Sequence, residues 1–386
     1  MSIFNSTSSG YSGKSNNNRI LGFDIAKSLA MFFVVLLHAS FYTGIIHDSL
    51  FSRVMMSFTV ICVPLFMAVN GAILLNKHFI FKRHLKKLFG IILLLIIWRL
   101  LHIIGYAISG SPKLSILQFC AILLGDTSVD GYLMGHFWFL EALASIYFIF
   151  PLLKIAYDYE DKKPMLLMLS ILLLLTFGLD SVRCILEVFF GERGLKVSEL
   201  IKPLSNLNIF GPFGYLLVYF ISGGFCASFW SKKGNSYFFE KLPLILTVFL
   251  ISLFCTSALH ELQYSNAIAG PFSTPYGYWL PSTFFSTLSA LCLCLIVGNC
   301  CHSERISNLF IILGSNTLGV YFLHMFGIIL LRYVQNNTSG GFVPSYMTNA
   351  ANSICFAAVI LLLYLLLSFL SFFLKKIPVI NHLFSF

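Results

Sequence analysis

The segment DIAKSLAMFFVVLLHASFYTG, residues 24–44, is apolar enough to lie in a bilayer, yet it contains three titratable side chains. At 100° per residue, Asp24, Lys27 and His38 fall within about 60° of one helix face, and Lys27 and His38 lie about 16 Å apart along the axis. A charge facing lipid costs about 3 kcal/mol, so this stripe is expected to face a protein interior or a wet cavity. In a simpler interpretation Asp24 and Lys27 pair with each other at the membrane surface, which leaves His38 as a lone buried histidine.

Ionisable side chains also interrupt other apolar runs. They are Arg99 and His102, three residues apart in one run, His136 and Glu141 at the start of another, and His324 near the middle of a late run. An ionisable group at such a depth is a functional candidate, although a buried histidine with satisfied hydrogen bonds is more common. For Arg99 and His102 the alternative is that the long arginine side chain reaches the membrane surface.

The composition excludes a soluble protein. Hydrophobic residues make up 58% of the 386 residues, charged residues only 10%, and the mean hydropathy is +0.86, so we predict one domain embedded in the lipid bilayer. The net charge is +10, but the basic residues cluster beside the apolar runs, which argues against nucleic acid as a partner. Cys300, Cys301 and His302 are adjacent in sequence and cannot converge on one ion as spaced ligands do, so no metal site is predicted.

Ten apolar runs are each long enough to cross about 30 Å of hydrocarbon, which predicts an all-α bundle of about ten transmembrane helices. The predicted spans are 21–43, 55–75, 88–108, 137–157, 165–180, 210–230, 243–259, 281–300, 309–334 and 351–374. Residues 1–18 are rich in Ser, Asn and Gly, so we predict a disordered tail ahead of a membrane domain over residues 19–386.

The basic residues also predict the orientation. Sixteen Lys and Arg residues fall in segments on the side of the N-terminus and seven on the other side, so both termini are predicted to be cytoplasmic. The longest external segments are then 109–136 and 181–209, with a Pro/Gly/Tyr-rich one at 269–279, and their turn residues predict loops.

Five stretches occur in a characteristic order along the chain. They are DIAK followed by ten residues and a histidine at 24–38, VPLFMAVNGAILL at 63–75, FKRHLKKLFG at 81–90, GHFWFLEALASIYFIFP at 135–151 and LGVYFLHMF at 318–326. In this series the sequence resembles the acyltransferase-3 family of integral membrane O-acyltransferases, and it looks closest to the branch that acetylates bacterial surface glycans such as the enterobacterial common antigen. Lys27 stands where the family usually has arginine, and Asn70-Gly71 stands where Ser-Gly is usual.

The resemblance implies a multi-pass protein of the bacterial inner membrane that transfers an acetyl group from cytoplasmic acetyl-CoA to a hydroxyl of a cell-envelope glycan, with no tightly bound cofactor. It implies His38 as the general base, Lys27 as the residue that holds a phosphate of CoA, and Asp24 as the residue that orients Lys27. Lysine keeps the charge of arginine but lacks its bidentate geometry. Asp24 fits equally well as a carboxylate that favours the N-terminal end of a helix dipole.

The resemblance also implies a set of substrate-binding residues, which are Arg83, His136, Trp138, Glu141, Tyr321 and His324. Arg83 would capture the anionic CoA nucleotide, although a basic run at this place is more often an anchor to lipid headgroups. His136 and Trp138 would line the acceptor site, while the alternative for Trp138 is the aromatic belt of the membrane surface. Glu141 would orient a histidine or a hydroxyl.

A thioester is already activated, so its transfer to a sugar hydroxyl needs alignment, removal of the hydroxyl proton and stabilisation of the oxyanion. His38 titrates near neutral pH and could act as base or as transient acyl carrier. The alternative function is a transporter or flippase of a lipid-linked saccharide, for which ten spans with buried charges are equally natural. A carrier predicts charges around a site between repeats, whereas an acyltransferase predicts a histidine that donor and acceptor both reach.

Overall fold

The computed structural model describes residues 19–43, 49–132, 134–208, 210–266, 277–278, 280–337 and 349–384, most of which are helical. The predicted disordered tail at 1–18 lies outside the described residues. The α-helices of the described chain are α1 Leu21–Tyr42, α2 Leu50–Thr59, α3 Cys62–Leu75, α4 Phe81–Ile108, α5 Ile116–Leu124, α6 Trp138–Asp158, α7 Lys163–Leu173, α8 Leu179–Ile201, α9 Gly214–Glu240, α10 Leu242–Asn266, α11 Pro281–Cys300, α12 Glu304–Ser315, α13 Thr317–Asn337, α14 Ala350–Leu374 and α15 Pro378–Asn381.

Ten helical segments of these described ranges are long and apolar enough to cross a membrane. They lie close to the ten predicted spans, and no strand occurs in the same residues, which confirms the predicted all-α membrane bundle. The second span consists of α2 and α3, with a break at Val60 and Ile61. The break has a local cause, because Pro64 has no N–H to donate to the carbonyl of Val60.

The start of the ninth predicted span, 309–334, is wrong. Residues 304–315 form the separate helix α12, and α13 begins only at Thr317. The side-chain amide of Asn316 donates to the carbonyl of Ile312 (2.8 Å), which closes the end of α12. Hydropathy did not reveal this boundary because apolar residues continue on both sides of it.

Two segments predicted as external loops contain helices. The 109–136 segment contains α5, whose N-terminus is closed by a capping box between Ser115 and Gln118. The 181–209 segment is mostly helical, because α8 runs to Ile201 with a sharp reversal at Gly191 (φ +55°). Glycine adopts this backbone conformation without strain, so two short helices fold against each other where turn residues suggested a loop. The predicted loop at 269–279 lies outside the described residues except for Gly277 and Tyr278.

Helix α1 lies inside the bundle. It packs against α2, α3, α11, α12, α13 and α14, and its side chains Ala26, Ala30 and Met31 are completely buried. A helix surrounded by protein can carry a polar stripe without exposing it to lipid. The surroundings of α1 therefore explain how Asp24, Lys27 and His38 are accommodated.

Helices α3 and α9 cross in close contact through two glycines. A Cβ atom added to Gly71 would lie 1.7 Å from the carbonyl oxygen of Phe220, and one added to Gly223 would lie 1.9 Å from that of Ala68. Small residues let helix backbones approach closely in membranes, where packing is a main source of helix association. The glycine of the Asn70-Gly71 pair thus fixes the wall of the bundle on which Asn70 is placed.

We call the end of the bundle at which α1, α4 and α7 begin the basic end. Lysines at this end form hydrogen bonds with backbone carbonyls of neighbouring helices. Lys154 Nζ on α6 donates to Leu75 O of α3 (2.9 Å), and Lys375 Nζ after α14 donates to Ser315 O of α12 (2.7 Å). These carbonyls lie at or next to helix C-termini, where backbone acceptors have no partner within the helix.

Candidate functional site

A cavity of about 150 Å³ lies between α1, α3, α6 and α13. It extends from Lys27 and Thr317, near the basic end, past His38 to Trp138 and Tyr278. The remaining residues that line it are Met31, Val34, Leu37, Cys62, Val63, Phe66, Asn70, His136, Phe139, Leu140, Leu143, Leu318 and Tyr321. Of the residues predicted from sequence, the cavity therefore brings together Lys27, His38, His136, Trp138 and Tyr321, and the polar stripe of α1 faces it.

His38 forms a pair with His324 of α13. Its Nδ1 atom lies 2.9 Å from His324 Nε2, and the two rings stack with centroids 5.0 Å apart. His324 is completely buried, and its Nδ1 atom lies 2.6 Å from the backbone carbonyl oxygen of Tyr321. His324 is not among the residues that line the cavity, but its ring contacts three residues that do, namely His38, His136 and Tyr321.

Two further imidazoles continue inward from this pair. The ring of His136 is edge-on to that of His324 at 5.5 Å between centroids, and the hydroxyl of Tyr321 donates to the backbone carbonyl of His136 (2.6 Å). His102 lies behind His136 at 5.0 Å, and its Nδ1–H donates to Trp98 O (2.9 Å). The four rings form a row from α1 across α13 to α4. Arg99 and His102 are both buried (5% and 0% exposed), which disagrees with the alternative that the arginine side chain extends to the membrane surface.

Asp24 is the carboxylate at the base of the stripe. It is only 2% exposed and accepts from Arg19 Nε at 2.6 Å and from Lys27 Nζ at 2.8 Å. Arg19 also donates from Nη2 to Ile311 O (3.2 Å), which anchors it to α12. The pairing of Asp24 with Lys27 agrees with the simpler interpretation of these two residues, but Lys27 lines the cavity as well.

A third cation lies close to Lys27. Lys375, directly after α14, is held by its bond to Ser315 O, next to the cavity residue Thr317. Burial, and then the neighbouring charge of Lys27, lower the pKa of Lys375 below the usual lysine range. Lys27 lines this end of the cavity and shares the carboxylate of Asp24 with Arg19, while the charge of Lys27 acts on Lys375. We call this end of the cavity the cationic mouth.

The opposite end of the cavity, which we call the aromatic mouth, is lined by Trp138 and Tyr278. The Trp138 ring stacks on Phe213 at 5.6 Å and on Tyr278 at 6.1 Å, and the Tyr278 hydroxyl lies 3.8 Å from Cys62 Sγ. Flat aromatic faces with few hydrogen-bonding groups suit the apolar faces of a sugar ring or a lipid-linked carrier. The turn residues around Tyr278 predict only a loop and do not indicate this contribution to the cavity.

Arg83 and Glu141 are not at the cavity. Arg83 is exposed in the first turn of α4, and it is not among the cavity-lining residues. Glu141 forms an ion pair with Arg99, which also donates from Nη1 to Leu123 O (3.0 Å). Glu141 thus contacts an arginine and joins α6 to α4 and α5, whereas the sequence suggested a histidine or a hydroxyl as its partner.

Within the described parts of the chain, no group of three or more His, Cys, Asp or Glu side chains is placed to hold a metal ion. The four imidazoles contact one another in a row and do not surround a common point. The chemistry available at the cavity is therefore that of a histidine pair between a cationic mouth and an aromatic mouth.

Comparison with known families agrees with this arrangement. The acyltransferase-3 family model, described as an acyltransferase domain, matches residues 20–379, which is nearly the whole chain. No curated protein and no solved structure gives a significant match. The match covers all ten membrane-spanning segments and every residue that lines the cavity.

Proposed function

Because the chain belongs to the acyltransferase-3 family of membrane acyltransferases, we propose that it transfers an acetyl group from acetyl-CoA to a hydroxyl of a bacterial cell-surface glycan, with His38 as general base. The observation that carries this proposal is that His38 lines a cavity that extends from a cationic mouth to an aromatic mouth. A donor that binds at one mouth and an acceptor that binds at the other would meet at this imidazole. The protein would act in the inner membrane.

The donor side of the proposal rests on charge. Coenzyme A carries phosphate groups, and Arg19, Lys27 and Lys375 supply a net charge of about +2 after Asp24 is counted. The cavity is smaller than the roughly 300–1,000 Å³ of a site that encloses a drug-sized ligand. We infer that only the thin pantetheine arm and its thioester enter it, while the nucleotide stays at the cationic mouth. Acyl-CoA is cytoplasmic, so this end of the bundle and both termini would face the cytoplasm.

The acceptor side rests on the aromatic mouth. Trp138 and Tyr278 stack on each other, and both line the cavity. A sugar hydroxyl that enters the cavity beside this pair would point toward His38. The acceptor would be a saccharide of the cell envelope, bound at the surface opposite to the donor.

In the proposed reaction His38 takes up one proton and later gives it up again. The imidazole takes the proton of the acceptor hydroxyl as the hydroxyl oxygen attacks the thioester carbon. When the C–S bond breaks, the CoA thiolate receives this proton, so ester and free CoA form without net proton release. The imidazole returns to its starting state.

Replacing His38 with alanine tests the proposal. We expect the O-acetyl content of surface polysaccharide, measured by NMR, to fall at least about 100-fold relative to the wild type in cells that have no other copy of the gene. Lys376→Ala serves as a control, since Lys376 is exposed and its ammonium group lies over the rings of Phe372 and Phe373. Unchanged acetylation by a His38→Ala protein that inserts and folds normally would refute the base assignment.

A further inference from the structure

We propose that His324 is the positioning residue of the transfer reaction: it holds His38 in the tautomer whose Nε2 atom carries the unshared electron pair. This inference rests on the proposed role of His38. It assigns to His324 a task that requires no contact with either substrate. The hydrogen-bond partners of the two rings determine which nitrogen of each ring carries the proton.

The first step fixes the proton on His324. A backbone carbonyl oxygen can only accept, so the 2.6 Å contact between His324 Nδ1 and Tyr321 O requires a proton on Nδ1. His324 is completely buried and forms no ion pair with an acidic side chain in the described residues, so its neutral form is favoured. A neutral imidazole carries one N–H, which leaves Nε2 of His324 as an acceptor.

The protonation of His324 then determines which nitrogen of His38 carries a proton. Nε2 of His324 lies 2.9 Å from Nδ1 of His38, and since the former must accept, the latter must donate. The single proton of a neutral His38 is therefore on Nδ1, and its Nε2 is bare. A base needs such an unprotonated atom within reach of the substrate, and His38 is the member of the pair that lines the cavity.

The hydrogen bond between His38 and His324 also stabilises the protonated base during the reaction. When Nε2 of His38 accepts the hydroxyl proton, the ring becomes an imidazolium, and its Nδ1–H bond to His324 becomes charge-assisted and stronger. His324 thus stabilises the protonated base more than the resting one. It has the orienting role that a third group plays beside a nucleophile and its base, but it does so from a buried position on α13.

Three variants separate this role from a structural one. His324→Leu removes the acceptor, whereas His324→Gln offers an amide oxygen that can accept from His38. His84→Leu is the matched control: His84 is also a buried histidine bonded to a backbone carbonyl (Tyr147 O, 2.9 Å), but it is not among the cavity-lining residues. The assay uses purified protein in nanodiscs, acetyl-CoA and de-O-acetylated surface polysaccharide from cells that lack the gene.

We expect kcat to fall roughly 10- to 100-fold in His324→Leu, with KM for acetyl-CoA unchanged within about twofold, because acid–base assistance is impaired while donor binding is intact. His324→Gln is expected to recover most of this loss, and His84→Leu to keep kcat once corrected for folded protein. Wild-type kcat in a folded His324→Leu protein would overturn the inference. Equal loss in the Leu and Gln variants would also overturn it, because a structural role alone would then account for both. Activity of His38→Ala would refute the proposed function together with this inference, whereas an inactive His38→Ala beside a fully active His324→Leu would refute only the role of His324.

Discussion

Two neighbouring lysines follow α14, and they differ in their surroundings. Lys375 is partly buried, donates a hydrogen bond to Ser315 O and is repelled by the charge of Lys27. Lys376 is exposed and lies over the ring of Phe372. Both contribute equally to the positive charge beside the last span, so an effect on topology would be shared. A difference between their variants therefore reports the local role of Lys375 at the cationic mouth.

If this mouth holds the phosphates of CoA, Lys375→Ala should weaken CoA binding about 5- to 10-fold, and Lys376→Ala should change it less than twofold. Isothermal titration of the protein in nanodiscs with CoA measures this without an acceptor. Because the pKa of Lys375 lies below the usual lysine range, the side chain loses its charge at lower pH than an ordinary lysine. CoA affinity should then decline with rising pH earlier in the wild type than in Lys375→Arg. Equal affinities for the two alanine variants would contradict the assignment.

The sequence anticipated single residues better than their partners. His38 and Lys27 were found because helical periodicity places them on one face, and both line the cavity. The contact between His38 and His324 joins positions 286 residues apart and depends on the packing of α1 against α13. The sequence shows His102 only as a neighbour of Arg99, since its place beside His136 depends on how α4 packs against the turn before α6.

At the scale of helices, the contact of α3 with α9 forms the wall of the cavity that carries Asn70. Gly71→Ala would place a methyl group against the Phe220 carbonyl, and a backbone atom cannot yield as a flexible side chain does. We expect a loss of about 1–3 kcal/mol in stability, as for overpacked cores. The loss of stability is checked by the midpoint of thermal unfolding in detergent, with size-exclusion chromatography used to monitor the folded fraction.

Gly327→Ala is the control for this helix contact. The three atoms nearest to a Cβ atom at Gly327 would be the ends of two leucine side chains at 3.2–3.4 Å, which can shift by a few tenths of an ångström. Its unfolding midpoint should stay close to that of the wild type. If both alanine variants unfold at the same temperature, the crossing of α3 and α9 does not depend on the absence of a side chain at Gly71.

Hydropathy located the spans because each crosses the full apolar thickness, and it failed where a boundary has a local cause. The capping box of α5 and the positive φ of Gly191 are set by a few residues that no average over about 20 residues detects. Hydropathy misses the boundary between α12 and α13 for the same reason, since Asn316 interrupts a run that is apolar on both sides.

At the scale of the molecule, the two mouths of the cavity differ in chemistry, and only one orientation in the membrane suits the proposed substrates. The basic end must face the cytoplasm if acyl-CoA binds there. Two exposed cysteines report on opposite ends: Cys300 ends α11 close to where Gly298 meets Gly22 of α1, and Cys120 lies on α5. The orientation therefore makes opposite predictions for two native thiols.

In spheroplasts, a membrane-impermeant maleimide should modify Cys120 and leave Cys300 unmodified, and permeabilisation should make Cys300 reactive. Peptide-resolved mass spectrometry distinguishes the two sites without removing other cysteines. The result expected follows from charge, because sixteen basic residues lie in the segments on the side of α1's N-terminus and seven on the other. Modification of Cys300 before permeabilisation, with Cys120 protected, would place the cationic mouth outside, where cytoplasmic acyl-CoA does not reach it. The asymmetry of the cavity would then have to serve a different donor, even though the histidine pair at its centre would be unchanged.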